Sequence, residues 1–162
     1  MNNIKINSSL QHISYNTIMG YKDFFNIDTH NLVIATIVRN PYDRIISDLF
    51  FLKKINIDSS KEEVTNTIKI YLTEYIDNHV CPQYLFITDD NKQLIPNIKI
   101  LHTERLNIDM HNLGYEDFNI KENCNPHKIC YENYLNNDSI KIINEFYDDD
   151  FKLFNYDKKN IF

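Results

Sequence analysis

The sequence predicts a single α/β domain in which a parallel sheet is flanked by helices. Strand-like and helix-like segments alternate along the chain, which is typical of a layered α/β fold. The run 32–38 (LVIATIV) is almost wholly apolar and rich in β-branched residues, as expected for a central parallel strand covered on both faces. With 162 residues, 43% of them hydrophobic, the chain suits one core, so residues 1–162 are interpreted as one domain.

The elements around this strand are predicted by spacing and by capping residues. Apolar residues recur at helical intervals from Ser14 to Phe25, which predicts a short helix before the strand. After the strand, Asn40 suits a helix N-cap, Pro41 suits the first helical position and Asp43 suits the positive end of the helix dipole. This helix is predicted to continue to about Lys54, with its apolar residues on one side.

The second half of the chain begins with another capped helix. Ser60 and Glu63 form a capping-box pattern, which predicts a helix that continues to about Asp77. The elements predicted after it are a Pro-containing loop at 79–83, a strand Tyr84–Thr88, a polar turn at 89–92, a strand Ile98–His102, a helix Glu104–Leu113 closed by Gly114, and a final helix from about Asp138.

Charge and hydropathy exclude two classes of partner. Lys and Arg number 17 against 23 Asp and Glu, a formal charge of -6, which gives no general attraction to nucleic acid. No apolar run approaches the ~20 residues that span a bilayer, and the first ten residues lack the pattern of a signal peptide. We therefore expect a soluble, cytoplasmic chain with no membrane segment and no nucleic-acid partner.

Glycine and cysteine usage restricts the kinds of site that the chain can build. The sequence has only two glycines, and neither lies in a G-x-x-x-x-G-K-[ST] pattern, so a Gly-rich phosphate loop is not expected. The three cysteines lack the C-x-x-C spacing of zinc sites and are odd in number, which argues against a disulfide framework. We expect no metal cofactor.

An anion site is predicted where the central strand meets its helix. Arg39 follows the strand directly, at the carboxyl edge where α/β sheets bind ligands. Ser47 falls on the helix side opposite the apolar stripe, so an Arg39 guanidinium and a Ser47 hydroxyl can bind one phosphate together. The alternative is that Arg39 pairs with a neighbouring carboxylate and Ser47 is an ordinary surface residue.

The segment 38–47 (VRNPYDRIIS) resembles a motif of the sulfotransferase superfamily, in particular its carbohydrate and heparan sulfate branch. In that family a strand ending in R-[DN]-P and a helix bearing R-[IL]-[IV]-S bind the 3′-phosphate of the sulfate donor PAPS (3′-phosphoadenosine 5′-phosphosulfate). The resemblance assigns Arg39 and Ser47 to that phosphate. It also implies a P-loop-NTPase-like sulfotransferase fold and sulfuryl transfer from PAPS to a carbohydrate hydroxyl.

Further blocks occur in the family's order. Residues 11–15 (QHISY) resemble the G-H-[VI]-S-[YF] segment of the uronyl 2-O-sulfotransferases, and residues 79–83 (HVCPQ) resemble the H-x-x-P-Q block. Residues 98–106, with Glu104, resemble the I-x-x-x-E-x-L block, and residues 142–156, which end in DFKLFNY, resemble the terminal Y-x-x-D-x-x-L-F-G-Y. The resemblance implies that His12 is the base for the acceptor proton, although an ordinary terminal histidine is the alternative. The resemblance makes Lys128 a candidate for helping to bind the 3′-phosphate, and a solvated lysine is the alternative. Gln83 either faces the acceptor or fixes a loop.

One part of the family pattern is missing from this sequence. The K-x-x-x-[ST] turn that holds the donor's 5′ end stands on a first central strand, and only eleven residues precede His12. Lys5 to Ser9 gives a Gly-free version of that turn, but it lies too close to His12 for both to keep their roles. We therefore expect a sheet without its first P-loop strand, and the alternative to an active sulfotransferase is a nucleotide-binding module that is catalytically silent or that is completed by a second chain or a homo-oligomer.

Overall fold

The computed structural model describes residues 13–28, 33–74, 79–119 and 130–161. These residues form two short strands, six α-helices and three 3₁₀ turns. In chain order the elements are α1 (Tyr15–Gly20), β1 (Ala35–Val38), α2 (Pro41–Phe51), α3 (Lys61–Glu74), a 3₁₀ turn (Gln83–Phe86), β2 (Lys99–His102), a 3₁₀ turn (Thr103–Arg105), α4 (Leu106–Asn112), a 3₁₀ turn (Tyr131–Asn133), α5 (Asn137–Phe146) and α6 (Asp148–Leu153).

The two strands lie side by side and parallel. Their register pairs Ala35 with Lys99 and Val38 with His102, so both strands end at the same level. The helices α2 and α3 lie between them in sequence, as expected for a parallel connection. The predicted α/β class is confirmed, with a sheet of two parallel strands in the part of the chain that the structure describes.

The expectation that the first strand is covered on both faces is wrong for the described residues. Val33 is 71% exposed and Ile37 is 55% exposed, whereas Val38 on the opposite face is 1% exposed. The helix α4 packs against β2, where Leu101 is 5% exposed, and leaves the neighbouring residues of β1 open. The apolar run was interpreted as central because such runs usually have neighbours on both sides.

The helix after β1 begins as its capping residues predict. Asn40 Oδ1 accepts a hydrogen bond from the Tyr42 backbone N–H at 3.0 Å, and Pro41 occupies the first helical position. The helix ends at Phe51, three residues before the predicted end, since Lys53 adopts a left-handed backbone with φ 55°. A capping box also starts α3: the Ser60 N–H donates to Glu63 Oε2 at 2.8 Å.

A helical core lies between α2, α3, α5 and α6. Its members are apolar or aromatic and nearly inaccessible, and burying each such side chain contributes roughly 1.5–3 kcal/mol to folding. They include Tyr42, Ile45, Ile46, Leu49, Val64, Ile68, Leu72, Ile143, Tyr147 and Phe151. A smaller cluster of Val38, Ile87 and Phe154 joins β1 to the C-terminal segment.

The predicted strand Tyr84–Thr88 is wrong. Residues Gln83–Phe86 form a 3₁₀ turn, and only Thr88 makes a single antiparallel bridge, with Leu94 across the predicted polar turn. The turn forms because the buried Asp150 carboxylate accepts the backbone N–H groups of Gln83 and Tyr84, both at 2.8 Å. That contact joins segments 66 residues apart, which local sequence patterns do not reveal.

Three other predicted elements differ at their ends. The first helix is shorter than predicted and ends at Gly20, and the predicted helix at Glu104 starts as a 3₁₀ turn before α4 begins at Leu106. The final predicted helix is followed by a separate short helix, α6. Within the ranges given above, no helix is long and apolar enough to cross a membrane.

Candidate functional site

The turn between β1 and α2 lies at the carboxyl edge of the sheet and carries Arg39. The Arg39 Nε donates to Asp43 Oδ2 at 2.7 Å, and the Arg39 side chain is 33% exposed. Asp43 and Ser47 are four residues apart on α2 and therefore share one side of the helix. The structure thus brings Arg39, Asp43 and Ser47 to one side of α2, and the Arg39–carboxylate pair foreseen as the alternative is present.

The ion pair with Asp43 uses only one edge of the Arg39 guanidinium. Among the described residues, the hydrogen bonds of this side chain run through Nε and not through its two terminal nitrogens. A guanidinium has five N–H donors in a fixed plane, so the four donors on the terminal nitrogens can still meet an anion. The pair with Asp43 orients the guanidinium, and it also puts a negative charge beside any bound phosphate.

The peptide groups of the turn are held by side chains from other segments. The Arg39 N–H donates to Gln83 Oε1 at 2.9 Å, and Gln83 Nε2 donates to the Arg39 carbonyl at 2.9 Å. The Asn40 N–H donates to Glu104 Oε1 at 2.7 Å, and Thr103 Oγ1 donates to the Val38 carbonyl at 3.0 Å. Every polar backbone group of residue 39 therefore has a side-chain partner.

Asp150 is a fully buried carboxylate that contacts the segment carrying Gln83. It is 0% exposed and accepts from the Gln83 and Tyr84 backbone N–H groups. Burial raises the pKa of Asp150, while the two N–H groups and the nearby Arg44 guanidinium act in the opposite direction. Arg44 itself donates to the carbonyl of Cys81 at 2.8 Å and to that of His79, which ties their loop to α2.

Glu104 links the turn to the C-terminal segment. Its second oxygen, Oε2, accepts from the Tyr156 hydroxyl at 2.9 Å. Burial, and then the hydrogen bond to the Glu104 carboxylate, raises the pKa of the Tyr156 hydroxyl, which therefore remains a donor at neutral pH. Beside this pair, at the end of β2, lies a cavity of about 300 Å³ lined by His102, Glu104, Arg105, Phe154, Asn155 and Tyr156.

His102 is fixed inside this cavity by its neighbours. Arg105 Nη2 lies 3.2 Å from His102 Nδ1, and Asp109 holds Arg105 through contacts of 3.2 and 3.4 Å. His102 Nε2 lies 3.4 Å from the Phe154 carbonyl. Nδ1 also lies 3.6 Å from Asp109 Oδ2, so both ring nitrogens of His102 face polar neighbours.

Two of the four predicted site residues lie outside the described part of the chain. These are His12, the predicted base, and Lys128, the predicted nucleotide contact. Gln83 had two possible roles in the sequence, and its contacts are those of a residue that fixes a loop. The position of Asp150 behind Gln83 was missed, and the only sequence signal for it was its place in the terminal Y-x-x-D-x-x-L-F block.

Within the described ranges, no group of three His, Cys, Asp or Glu side chains is arranged to hold a metal ion. Comparison of the chain with protein-family models, with curated proteins and with solved structures gives no match.

Proposed function

We propose that this chain binds PAPS through its 3′-phosphate at the carboxyl edge of the sheet and transfers the sulfuryl group to a carbohydrate hydroxyl. The proposal includes a P-loop-NTPase-like sulfotransferase fold. Arg39 supplies the guanidinium and Ser47 the hydroxyl for the phosphate. Lys128 is assigned to the nucleotide and His12 to the acceptor proton.

One observation carries the proposal: four separate sequence blocks meet at the β1–α2 turn. Arg39 of the R-N-P block is hydrogen-bonded to Gln83 of the H-x-x-P-Q block, and Gln83 to Asp150 of the terminal block. Glu104 of the I-x-x-x-E-x-L block binds Asn40 and, from the terminal block, Tyr156. The sequence relates these blocks by their motifs and by their order along the chain, and their convergence on the carboxyl edge of the sheet supports a shared role.

The chemistry requires three groups around the donor sulfur. The acceptor oxygen attacks sulfur in line with the bond from sulfur to the 5′-phosphate oxygen, which breaks as the new S–O bond forms. The acceptor proton passes to a base, for which a neutral histidine such as His12 is suited near pH 7. The leaving group is adenosine 3′,5′-bisphosphate, whose 3′-phosphate stays with Arg39 and Ser47.

A second candidate is a nucleotide-binding module that is silent alone or depends on a partner. It is favoured by the exposure of Val33 and Ile37 on β1, since apolar strand residues in a finished α/β sheet are usually covered. It is also favoured by the lack of a Gly-rich loop for the donor's 5′ end, because one catalytic donor is commonly worth about 100-fold or more in rate.

Calorimetry with adenosine 3′,5′-bisphosphate tests the site that both candidates share. We expect Arg39→Ala to weaken binding about 100-fold and Ser47→Ala about tenfold, because bonds to a charged group are worth roughly 1.5–3 kcal/mol and Arg39 adds its own charge to the phosphate contact. Lys69→Ala, which removes an exposed charge from α3, serves as the control and should leave binding unchanged. Failure of the wild-type chain to bind contradicts both candidates.

Transfer of labelled sulfate from PAPS to a panel of glycans separates the two. Transfer that is lost in His12→Ala supports the enzyme. Binding without transfer at any protein concentration supports the silent module, and transfer that appears only with a second chain supports the partner-dependent one.

A further inference from the structure

The side chain of Gln83 pairs with both backbone groups of Arg39. Its Oε1 accepts from the Arg39 N–H at 2.9 Å, and its Nε2 donates to the Arg39 carbonyl at 2.9 Å. This two-bond pattern is the one that a neighbouring strand would make, here supplied by a side chain 44 residues away. It holds residue 39 at the point where β1 ends, and within residues 13–28, 33–74, 79–119 and 130–161 no strand occupies that side of its backbone.

Asp150 determines which way the Gln83 amide faces. Asp150 Oδ2 accepts from the Gln83 N–H at 2.8 Å and lies 3.4 Å from Gln83 Nε2. An ionised carboxylate only accepts, so it favours the amide NH₂ group on its own side and leaves Oε1 for the Arg39 N–H. Asp150 is 0% exposed, so water does not compete for these contacts.

The loop that carries Gln83 is also tied to the helix that follows Arg39. Arg44 of α2 donates to the carbonyls of Cys81 and His79, and the ring of Tyr147 lies 5.8 Å from the Arg44 guanidinium carbon. The Tyr147 hydroxyl donates to the Val80 carbonyl at 2.9 Å. The loop is thus held by α2 and by the C-terminal segment. Gln83, which belongs to this loop, in turn holds the Arg39 backbone through its two hydrogen bonds.

From these contacts we infer that Gln83 is the positioning residue of the anion site and that Asp150 orients it. Gln83 does not touch the nucleotide; it fixes the Arg39 backbone so that the guanidinium meets the 3′-phosphate without first being ordered. The inference rests on the proposed function, because it assigns Gln83 a role in binding that same phosphate. Without the Gln83 side-chain amide, Arg39 must be ordered when the ligand binds. The free-energy cost of that ordering lowers the affinity.

The test uses the full chain and Gln83→Met, which keeps side-chain length and removes both hydrogen bonds. Gln93→Met makes the same replacement at an exposed glutamine and is the matched control. The first readout needs no ligand: amide hydrogen exchange of Arg39, followed by NMR. We expect exchange about tenfold faster in Gln83→Met and unchanged in Gln93→Met, since one hydrogen bond contributes on the order of that factor.

The second readout is the affinity for adenosine 3′,5′-bisphosphate in a double-mutant cycle. We expect Gln83→Met to weaken binding about tenfold in the wild-type background and to have no further effect once Arg39→Ala is present. A residue that only stabilises the fold would weaken binding equally in both backgrounds. Should Gln83→Met unfold at the measuring temperature, Asp150→Asn replaces it, with the same direction expected in both readouts.

The outcomes separate the inference from the proposed function. Wild-type binding that Gln83→Met leaves unchanged overturns the inference alone, as does equal weakening in the two backgrounds. Arg39 exchange that stays slow in Gln83→Met overturns it without reference to any ligand. Wild-type chain that does not bind the bisphosphate overturns the proposed function and, with it, the role of Gln83 in binding.

Discussion

The helical core and the carboxyl edge of the sheet are held together by different forces. In the core, side chains such as Leu49, Ile68 and Ile143 are 0% exposed and contact other apolar groups. At the edge, the backbone N–H groups of Arg39 and Asn40 donate to side-chain oxygens of Gln83 and Glu104. The core tolerates any apolar group that fills its volume, whereas the edge requires particular donors and acceptors.

This difference separates stability from function. Apolar burial is non-directional, so losing one core side chain lowers the free energy of unfolding without changing where Arg39 points. Hydrogen bonds are directional, so losing one at the edge changes the geometry of the proposed anion site and, since that edge is partly buried, also costs stability. The two regions should respond differently to matched substitutions.

The largest effect on stability is expected in the core. Ile68→Ala should lower the free energy of unfolding by about 3–4 kcal/mol, because it removes a fully buried side chain and leaves a cavity in α3. Ile57→Ala makes the same change at a residue that is 69% exposed and should cost less than about 0.5 kcal/mol. Urea unfolding followed by circular dichroism measures both.

The distinction between the core and the edge fails if the core substitution also changes binding at the edge. Below its unfolding midpoint, Ile68→Ala should bind adenosine 3′,5′-bisphosphate as the wild-type chain does. A tenfold loss of affinity in the folded variant would mean that the core and the edge form one cooperative unit.

A smaller loss of stability is expected at the edge, together with a loss of function. Asp150→Ala leaves the Gln83 and Tyr84 N–H groups without their acceptor and should cost about 2–3 kcal/mol. Unlike the core substitution, it should also speed amide exchange at Arg39. Asp149→Ala, which removes an exposed ion pair with Lys92, is the control and should cost under about 1 kcal/mol. Equal effects of the two aspartates would contradict the structural role of Asp150.

The same contrast explains which parts of the molecule the sequence predicts. The helices α2 and α3 follow from periodicity and from caps at Asn40 and Ser60, all of which are local signals. The 3₁₀ turn at Gln83–Phe86 does not, because its N–H groups are satisfied by a carboxylate far along the chain. Val33 and Ile37 mislead for a related reason: their apolar character indicates a covered strand, but no local pattern states what covers it.

At the candidate site, too, some contacts follow from local sequence and others do not. The position of Arg39 at the carboxyl edge follows from a strand directly before a capped helix, and the structure has it there. The sequence predicts, as one alternative, that Arg39 pairs with a neighbouring carboxylate, and in the structure that partner is Asp43. The backbone contacts from Gln83 and Glu104 depend on how three distant segments fold together, and spacing along the chain carries no such information.

The smallest expected effect lies on the surface, where the Asp148 side chain is 36% exposed and pairs with two lysines. Lys152, whose Nζ is 2.5 Å from Asp148 Oδ2, and then Lys158 lower the pKa of Asp148 to about 2. The folded chain therefore binds this proton less tightly than the unfolded chain, in which the carboxyl has its ordinary value near 3.8. The resulting stability is present above pH 4 and is lost as the pH falls through about 2.

An NMR titration of the Asp148 carboxyl carbon measures this shift directly. The midpoint should lie near pH 2 in the wild-type chain and move towards the ordinary value when Lys152→Ala and Lys158→Ala are combined. Lys141→Ala, on the exposed side of α5, should leave it unchanged. Because the pair is exposed, 0.5 M salt should also raise the midpoint, whereas the Arg39 amide bonded to Gln83 should keep its slow exchange in the same salt. If 0.5 M salt leaves the Asp148 midpoint unchanged, the surface ion pair is as well shielded from solvent ions as the contacts at the edge. The distinction between surface and edge would then fail.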